Sequence, residues 1–202
     1  MASPPSPLSR RDARVAETRQ ALLSAGRALF GSLGFAATSV DDLARHAGVT
    51  TGALYHHFTT KADLFETVFE QLEAELSERC NAVARNARSP LEGLRLGFDA
   101  FLDASLEPDV QRIVLVDAPA VLGIGRYHAI DEKYAHAPIL AALRASEKEG
   151  TIDATDLDVL ARLLLGALMQ GGMLIAQASD QRRTRAAVGK SLRRMLEGLG
   201  AR

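Results

Sequence analysis

The sequence lacks the residues and segments that mark several protein classes. One cysteine, Cys80, in 202 residues excludes a disulfide framework and a cysteine-based structural zinc site. With 7 prolines and 16 glycines, the chain is neither collagen-like nor of low complexity. The longest strongly apolar run, 163–176, has 14 residues and contains Gln170, which is short of the roughly 20 that a membrane-spanning helix needs. We therefore expect no membrane segment.

The first twelve residues contain no apolar stretch of the kind that a secretory signal requires. We therefore expect a cytoplasmic protein. Residues 1–9 hold three prolines and three serines, a composition that predicts a disordered or extended tail.

Motifs of common enzymes are also absent. There is no glycine-rich phosphate loop and no nucleophile elbow. Histidine and acidic side chains between His128 and His136 include pairs three or four residues apart that could share a helix face, but such pairs are frequent on exposed helices. We therefore predict no enzymatic activity, no metal site and no cofactor.

Charge is distributed unevenly along a chain whose net charge is only −1. Residues 10–61 carry seven basic and four acidic groups, residues 62–180 carry ten and twenty, and residues 181–202 carry seven and one. Basic ends around an acidic middle permit a nucleic-acid surface at either end. We interpret the basic segment 181–198 as a solvated helix face, and a second nucleic-acid surface is the alternative.

Beyond the tail, the pattern is helical almost everywhere. Alanine, leucine, arginine and glutamate dominate, and no segment shows the sustained alternation of a strand. Breaks are expected at Ala118–Pro119 and at Gly123 and Gly125, and Pro138 should kink or split the helix that contains it. The predicted helices cover about 12–33, 51–57, 61–88, 90–106, 109–117, 126–147, 156–178 and 181–198, with a short helix between Ser39 and Gly48.

Residues 39–58, SVDDLARHAGVTTGALYHHF, have the pattern of a helix-turn-helix motif. Gly48 lies where the chain must reverse within a few residues, so a positive φ is expected there. Leu54 and Phe58 are four residues apart and should both face the core. This leaves only small side chains on the outward surface at the start of the second helix, as entry into a major groove requires.

The matching short motifs within residues 19–65 are Ala28-Leu29-Phe30, Gly34-Phe35, Thr38-Ser39-Val40, Asp42-Leu43-Ala44, Ala47-Gly48-Val49, Gly52, Leu54-Tyr55, His57-Phe58, Lys61 and Leu64. With them, this segment resembles the DNA-binding domain of the TetR family of bacterial transcriptional regulators. Residues 112–134 resemble one C-terminal subgroup of the family. The resemblance implies an all-α fold with an N-terminal three-helix helix-turn-helix DNA-binding domain, over 10–61. A larger C-terminal helical ligand-binding and dimerisation domain would follow, over 62–202.

Nine residues are expected to contact DNA, eight of them as the resemblance implies and Arg45 as a candidate for base contacts. Ser39 and Lys61 match positions that touch phosphate at the start of the second and fourth helices. The start of the third helix, the recognition helix, would lie at the groove. The full expected set is Ser39, Arg45, Thr50, Thr51, Gly52, Tyr55, His56, His57 and Lys61.

Within this set, Tyr55 and His57 match positions that bind phosphates or stack near them. His56 falls where members of the family vary and often read bases. No arginine or asparagine occupies 50–58, so bidentate recognition of guanine or adenine is not available from this helix. Ordinary solvated surface is the alternative explanation for His56 and His57, and an ordinary half-buried tyrosine is the alternative for Tyr55. The candidates for bidentate contacts are Arg45, Arg10, Arg11 and Arg14.

The helix predicted over 156–178 is apolar on all sides beyond Arg162, so it must be covered on both faces. One face can pack inside the chain and the other against a partner. Together with the helix over 181–198, it predicts a four-helix homodimer interface, and a two-fold dimer predicts a palindromic operator. A central core helix in a monomer is the alternative.

A small-molecule effector is expected between helices of the second domain. Core packing is the alternative explanation for each apolar residue of the expected wall. The predicted ligand-binding residues are Phe98, Phe101, Leu102, Arg112, Ile113, Val116, Tyr127, Tyr134 and Met169.

Taken together, these patterns predict a homodimeric repressor that a small molecule releases from double-stranded DNA. The alternative hypothesis is a small-molecule-binding helical protein with a vestigial DNA-binding motif. Cys80 is interpreted as an incidental surface or interface residue.

Overall fold

The structure, a computed structural model, describes residues 10–153 and 156–200, except for the side chains of Arg10 and Arg11. The predicted tail over 1–9 lies outside the described residues. The contacts expected from the side chains of Arg10 and Arg11 lie outside them as well.

The described residues confirm the all-α fold. Within 10–153 and 156–200 there is no strand, and one isolated antiparallel bridge joins Ile152 to Gly200. Two segments are π-helical, and we name them π1 and π2. The helical elements are α1 Arg10–Leu33, α2 Val40–His46, α3 Thr51–His57, α4 Lys61–Ala84, α5 Pro90–Ala104, π1 Val110–Asp117, α6 Ala118–Asp131, π2 Glu132–His136, α7 Ala137–Lys148, α8 Leu157–Gln177 and α9 Gln181–Glu197.

Side-chain caps fix where α2, α3 and α4 begin. Ser39, Thr50 and Thr60 precede α2, α3 and α4, and each accepts a hydrogen bond from a backbone N–H in the first turn. The cap of α4 is reciprocal, because the Asp63 side chain also accepts a hydrogen bond from the Thr60 N–H at 3.0 Å. Serine and threonine are among the residues that favour this position.

Gly48 makes the turn between α2 and α3 with a φ of 67°, as predicted. The Val49 N–H donates to the Ala44 carbonyl at 2.9 Å and closes the turn. Leu43 of α2 and Leu54 of α3 are fully buried in the core. The two short helices therefore form one packed unit.

The segment from Val110 to Lys148 is helical throughout apart from one kink, unlike the separate helices that the sequence indicated. The break expected at Ala118–Pro119 is wrong, because Pro119 lies in the first turn of α6, where a missing N–H costs little. The interruption expected at Gly123 is confirmed by its φ of 72° and ψ of 157°. Pro138 lies in the first turn of α7, directly after π2, which splits the predicted long helix.

Helix α4 lies at the centre of the packing. The N-terminal helix α1 packs on it, and so do α5, α6, π1 and π2. One face of α4 is therefore covered along most of its length. Its buried residues are Leu64, Phe65, Val68, Phe69, Leu72, Glu73 and Leu76.

A second connection joins the N-terminal helices to the rest of the chain. The Arg27 Nε donates to Asp109 Oδ2 at 2.9 Å, and the Phe35 backbone N–H donates to Asp117 Oδ2 at 2.7 Å. The close approach at the first contact depends on Gly31, because a Cβ there would lie 2.9 Å from the Asp109 Cβ. Helix α1 is thus fixed to both α4 and π1.

Two segments, Val110–Lys148 and Leu157–Gln177, are long and apolar enough to cross a membrane by length and composition. In the fold, the first is kinked at Gly123 and the second packs against α5, α7 and α9. Core helices of soluble proteins meet the same criteria, so these segments are weak support for a membrane span.

Replacing Gly48 with alanine should lower the free energy of unfolding by about 1 kcal/mol, because an L residue at positive φ is strained. A Cβ at this position meets no atom within 4 Å, so backbone strain is the expected cost. Gly125→Ala is the matched control, since that site is equally open, lacks a positive φ and lies in α6, where alanine favours the helix. Urea titrations compare the two, and equal midpoints would contradict the assigned strain.

Candidate functional site

The outward side of α3 begins with small side chains. Leu54 and Phe58 are buried, as predicted from their spacing. The first turn therefore presents no large group, and two hydrogen-bonding aromatic side chains follow it. The exposed residues of α3 and its cap are Thr50, Gly52, Tyr55 and His56.

Gly52 is a glycine that the fold does not require. A Cβ there would meet only Thr50 Oγ1, at 3.9 Å, and the φ of Gly52 is not in the left-handed region. Glycine inside a helix costs about 1 kcal/mol relative to alanine. Its absent side chain instead leaves the leading turn of α3 narrow enough for close approach to another molecule.

Two of the expected DNA contacts, Ser39 and Arg45, lie at the start of α2 and within it. Ser39 is exposed and donates to Asp42 Oδ2 at 2.5 Å, and the Arg45 guanidinium pairs with the same carboxylate. Arg45 has a 74% exposed side chain, so this pair is worth at most about 1 kcal/mol and a phosphate can replace it at little cost. Thr51 Oγ1 donates to Asp41 Oδ1 at 3.0 Å and ties the start of α3 to α2.

Lys61 has a structural role that the sequence did not indicate. Its Nζ donates to the carbonyls of Phe35 and Thr38, each at 2.8 Å, and lies 4.1 Å from the centroid of the Phe35 ring. These contacts hold the loop between α1 and α2 against the start of α4. An ammonium group has three N–H donors, so one is left for the phosphate contact, which stays a prediction.

His57 is less exposed than its neighbour His56, and their rings meet edge to face at 5.6 Å between centroids. Burial, with the charges of His56 and Arg19, lowers the pKa of His57. The neutral ring that this favours can still donate one N–H to a phosphate. The roles of Tyr55 and both histidines toward DNA stay predictions.

A cavity of about 210 Å³ lies between α4, α5, α7 and α8. Most of its wall is apolar, and α4 contributes the polar side chains Glu73, Ser77, Cys80 and Asn81. None of the lining residues is a lysine, an arginine or a histidine. Four of the nine predicted ligand-binding residues line it: Phe98, Phe101, Tyr134 and Met169.

Three other predicted wall residues lie outside this cavity, and their role toward a ligand stays a prediction. Leu102 and Ile113 are fully buried in the core. Tyr127 stacks on Phe69, with 5.8 Å between the ring centroids. Their spacing correctly marked these residues as inward-facing, but other helices cover them.

Arg112 and Val116 also lie away from the cavity. The Arg112 Nε donates to Asp117 Oδ2 at 3.3 Å, and its guanidinium lies against Gly34 at the end of α1. Val116 is exposed on π1. Both lie near the contact with the N-terminal helices, and their role toward a ligand stays a prediction.

Glu73 is the functional candidate that sequence reasoning missed. Its side chain lines the cavity, the residue is only 6% exposed, and it has no hydrogen-bond or ion-pair partner among the described residues. Burial, with the negative charge of Asp131, raises the pKa of Glu73 from 4.5 to about 8. A signal was present, because Glu73 falls on the apolar stripe of α4, where a charged residue is unexpected.

Cys80 also lines the cavity, which corrects its interpretation as an incidental surface residue. Burial raises the pKa of its thiol to about 11. A thiol in this state is a poor nucleophile near neutral pH. Cys80 therefore contributes to the cavity wall rather than to chemistry there.

Comparison with known proteins assigns both parts of the chain to one family. Residues 22–68 match the profile described as bacterial regulatory proteins, tetR family. Residues 91–199, which are more than half of the chain, match the tetracyclin repressor-like C-terminal domain. The chain belongs to the TetR family.

Individual relatives agree with this assignment. The TetC protein of transposon Tn10 from Escherichia coli is 29% identical over 156 residues, which are 75% of this chain and 77% of TetC. The regulator AcrR of Shigella flexneri is 34% identical over 100 residues, 49% of this chain and 46% of AcrR, so that match spans about half of AcrR. The crystal structure of a TetR-family regulator from Pectobacterium atrosepticum is 36% identical, with a TM-score of 0.81 over 94% of this chain and 97% of that one.

As a TetR-family protein, the chain is a DNA-binding transcriptional regulator. Regulators of the TetR family are in general cytoplasmic and non-enzymatic. They typically act as dimers that respond to small molecules. Within 10–153 and 156–200, no group of three or more histidine, cysteine or acidic side chains is placed to hold a metal ion.

Helix α8 of this TetR-family chain keeps an exposed apolar face. Val159, Leu163 and Leu174 are among the exposed large hydrophobic residues. Gly166 lies on the same face, and a Cβ there would meet no atom within 4 Å. The spacing of these four positions places them along one side of the helix.

The adjacent helix α9 carries most of the C-terminal basic residues. Arg185 Nε and Nη1 donate to Asp103 at 2.7 Å and to Asp99 at 3.1 Å, both on α5. This arginine therefore holds α9 against α5. The remaining basic residues of α9 are exposed, in keeping with a solvated face.

The raised pKa of Glu73 predicts a stability that falls as pH rises. The folded chain retains this proton up to about pH 8, whereas the unfolded chain releases it near 4.5, so the unfolding free energy should decrease across this interval. Glu73→Gln should remove this pH dependence. The total decrease in unfolding free energy across the interval is on the order of a few kcal/mol. Denaturant unfolding at pH 6, 7 and 8 measures it.

Glu78→Gln is the control for this prediction, because Glu78 lies on the same helix but is exposed and pairs with Arg85 at 2.8 Å. The unfolding free energy of Glu78→Gln should depend on pH as that of the unmodified protein does. Identical slopes for Glu73→Gln and the unmodified protein between pH 6 and 8 would show that Glu73 is ionised in the folded chain.

Proposed function

We propose that this TetR-family regulator is a homodimeric repressor that a small molecule releases from a palindromic operator. Residues 10–61 act as the DNA-binding domain, and residues 62–202 act as the effector-binding and dimerisation domain. The protein works in the cytoplasm, by binding rather than by catalysis.

The exposed leading turn of α3 carries the DNA-binding part of this proposal. Gly52 costs the helix stability and is not required by the packing around it. A groove-binding helix needs a slim first turn and exposed hydrogen-bonding groups beyond it. Tyr55 and His56 supply those groups on the exposed side of α3.

The exposed face of α8 supports the dimer. Three large apolar side chains along it are about half exposed or more, at 51% for Val159, 67% for Leu163 and 48% for Leu174. Gly166 on the same face lets a partner helix approach closely. A second copy of α8 and α9 related by a two-fold axis would cover this face and place two α3 helices on one duplex.

The effector would act by changing the relative population of two dimer arrangements. Only the difference between its affinities for the two arrangements can shift that population. The cavity wall includes α4, which begins shortly after α3 ends, so a movement of α4 would be passed to the motif through the loop that Lys61 holds. A ligand that favours the wrong spacing of the two recognition helices would release the operator.

Selection from a randomised DNA duplex library tests this function. We expect the purified dimer to enrich one palindrome at moderate salt, because two copies of α3 read two half-sites separated by about a helical turn or a multiple of it. Enrichment of no motif by a folded dimer would contradict sequence-specific recognition.

The variant Gly52→Leu tests whether the first turn of α3 contacts the operator. Leucine is a better helix former than glycine, so folding should be retained, while the added side chain should weaken operator binding at least about tenfold by blocking close approach. Gly125→Leu places the same side chain at an equally open glycine in α6 and should bind the operator normally. Unchanged operator affinity for Gly52→Leu would show that the first turn of α3 does not lie at the DNA interface.

Leu163→Glu tests the dimer. A carboxylate on the proposed interface should give a folded monomer in sedimentation velocity, with operator affinity reduced at least about tenfold because only one half-site is held. Ile124→Glu is the matched control, because Ile124 is 65% exposed against 67% for Leu163 and lies on α6. A dimer that persists in Leu163→Glu would place the interface elsewhere.

A further inference from the structure

Packing alone does not explain the carboxyl group of Glu73 in the cavity wall. The residue is 6% exposed, its carboxyl group has no partner among the described residues, and it lines the cavity between α4, α5, α7 and α8. The carboxyl oxygens are not enclosed by protein but face the cavity, whose mostly apolar wall solvates them poorly and at a cost in free energy. A ligand group that pairs with them would remove that cost.

The surroundings of Glu73 determine the charge of that ligand group. The cavity wall contains no lysine, arginine or histidine, so an anionic ligand would find no counter-charge there. Asp131 adds negative charge near Glu73. Glu70, one turn away on α4, forms an ion pair with Lys133 at 3.1 Å, so this pair adds no net charge. The lack of a cationic wall side chain and the negative charge of Asp131 disfavour a carboxylate or a phosphate and favour a cation.

The rest of the wall favours a cation with a large apolar part. Phe98, Phe101 and Tyr134 contribute aromatic rings to the lining. Aromatic faces attract cations and also provide apolar contact area. Ser77 and Asn81 add neutral hydrogen-bonding groups on the same face of α4 as Glu73.

We propose that the cavity binds a small lipophilic amine in its protonated form, with the Glu73 carboxylate as its counter-ion. This rests on the proposed function, because the amine would be the effector. A neutral hydrogen-bond donor would gain less, since a charge-assisted hydrogen bond is roughly twice as strong as a neutral one.

Proton release is a further consequence. The groups that face Glu73 are Asp131 and Tyr127 from α6, Cys80 from α4 itself and Tyr134 from π2. None of them supplies a positive charge to an ionised Glu73. Since burial raises the pKa of Glu73 to about 8, binding of a cation near pH 7 should expel the Glu73 proton.

The test uses three probes that share one ring system, 1-naphthylmethylamine, 1-naphthylmethanol and 1-naphthoate, in titration calorimetry at pH 7. We expect the amine to bind at least about tenfold more tightly than the alcohol, and the carboxylate to bind most weakly. The apparent enthalpy of amine binding should differ between phosphate and Tris buffers, because a proton is released.

Glu73→Gln should weaken amine binding at least about tenfold, abolish the buffer dependence and leave alcohol binding within about threefold. Glu78→Gln, which removes an exposed carboxylate from the same helix, should bind all three probes as the unmodified protein does. Equal affinity for amine and alcohol, an unchanged amine affinity in Glu73→Gln, or no amine binding would overturn the proposal. Operator binding is measured separately without any probe, so a failure of this ligand class is distinguishable from a failure of the proposed function.

Discussion

The backbone of Phe35 is held from two sides, and the placement of the helix-turn-helix motif depends on it. Its N–H donates to Asp117 at the end of π1, and its carbonyl accepts from Lys61 at the start of α4. The Phe35 ring packs 5.2 Å from the centroid of Phe65. Because α2 follows this loop directly, any change in the relative position of π1 and α4 must reach α2 and α3.

Both of these anchors, α4 and π1, are connected to the cavity. Along α4, Lys61 and Glu73 are twelve residues apart, about 18 Å on one continuous helix, so the first turn and the cavity wall share the same helix. The other anchor, π1, packs on α8, where a Cβ at Gly172 would lie 3.1 Å from Leu115. Residues of α8 also line the cavity. In the proposed mechanism, a ligand that increases the distance between α4 and α8 therefore acts on both hydrogen bonds that hold the backbone of Phe35.

Local features of this structure follow from the sequence, and contacts between distant helices do not. The cap at Thr60 and the positive φ of Gly48 depend on a few neighbouring residues, so the pattern indicates them directly. Helical spacing also marks Leu102 as inward-facing, but it cannot say which helix covers it. For this reason only part of the cavity wall was predicted. Lys61 shows the same limit, since its two carbonyl partners lie 26 and 23 residues away.

Two residues that break local rules coincide with the two proposed binding surfaces. Gly52 weakens a helix that has room for a side chain, and Glu73 is a carboxyl group in an apolar stripe without a partner. A sequence selected for stability alone would replace both, since alanine or a larger helix former suits the first position and an apolar residue suits the second. Departures from local consistency are expected where function sets the residue. The same reasoning separates Glu73 from Glu78, whose exposed ion pair with Arg85 satisfies every local rule and therefore carries no such implication.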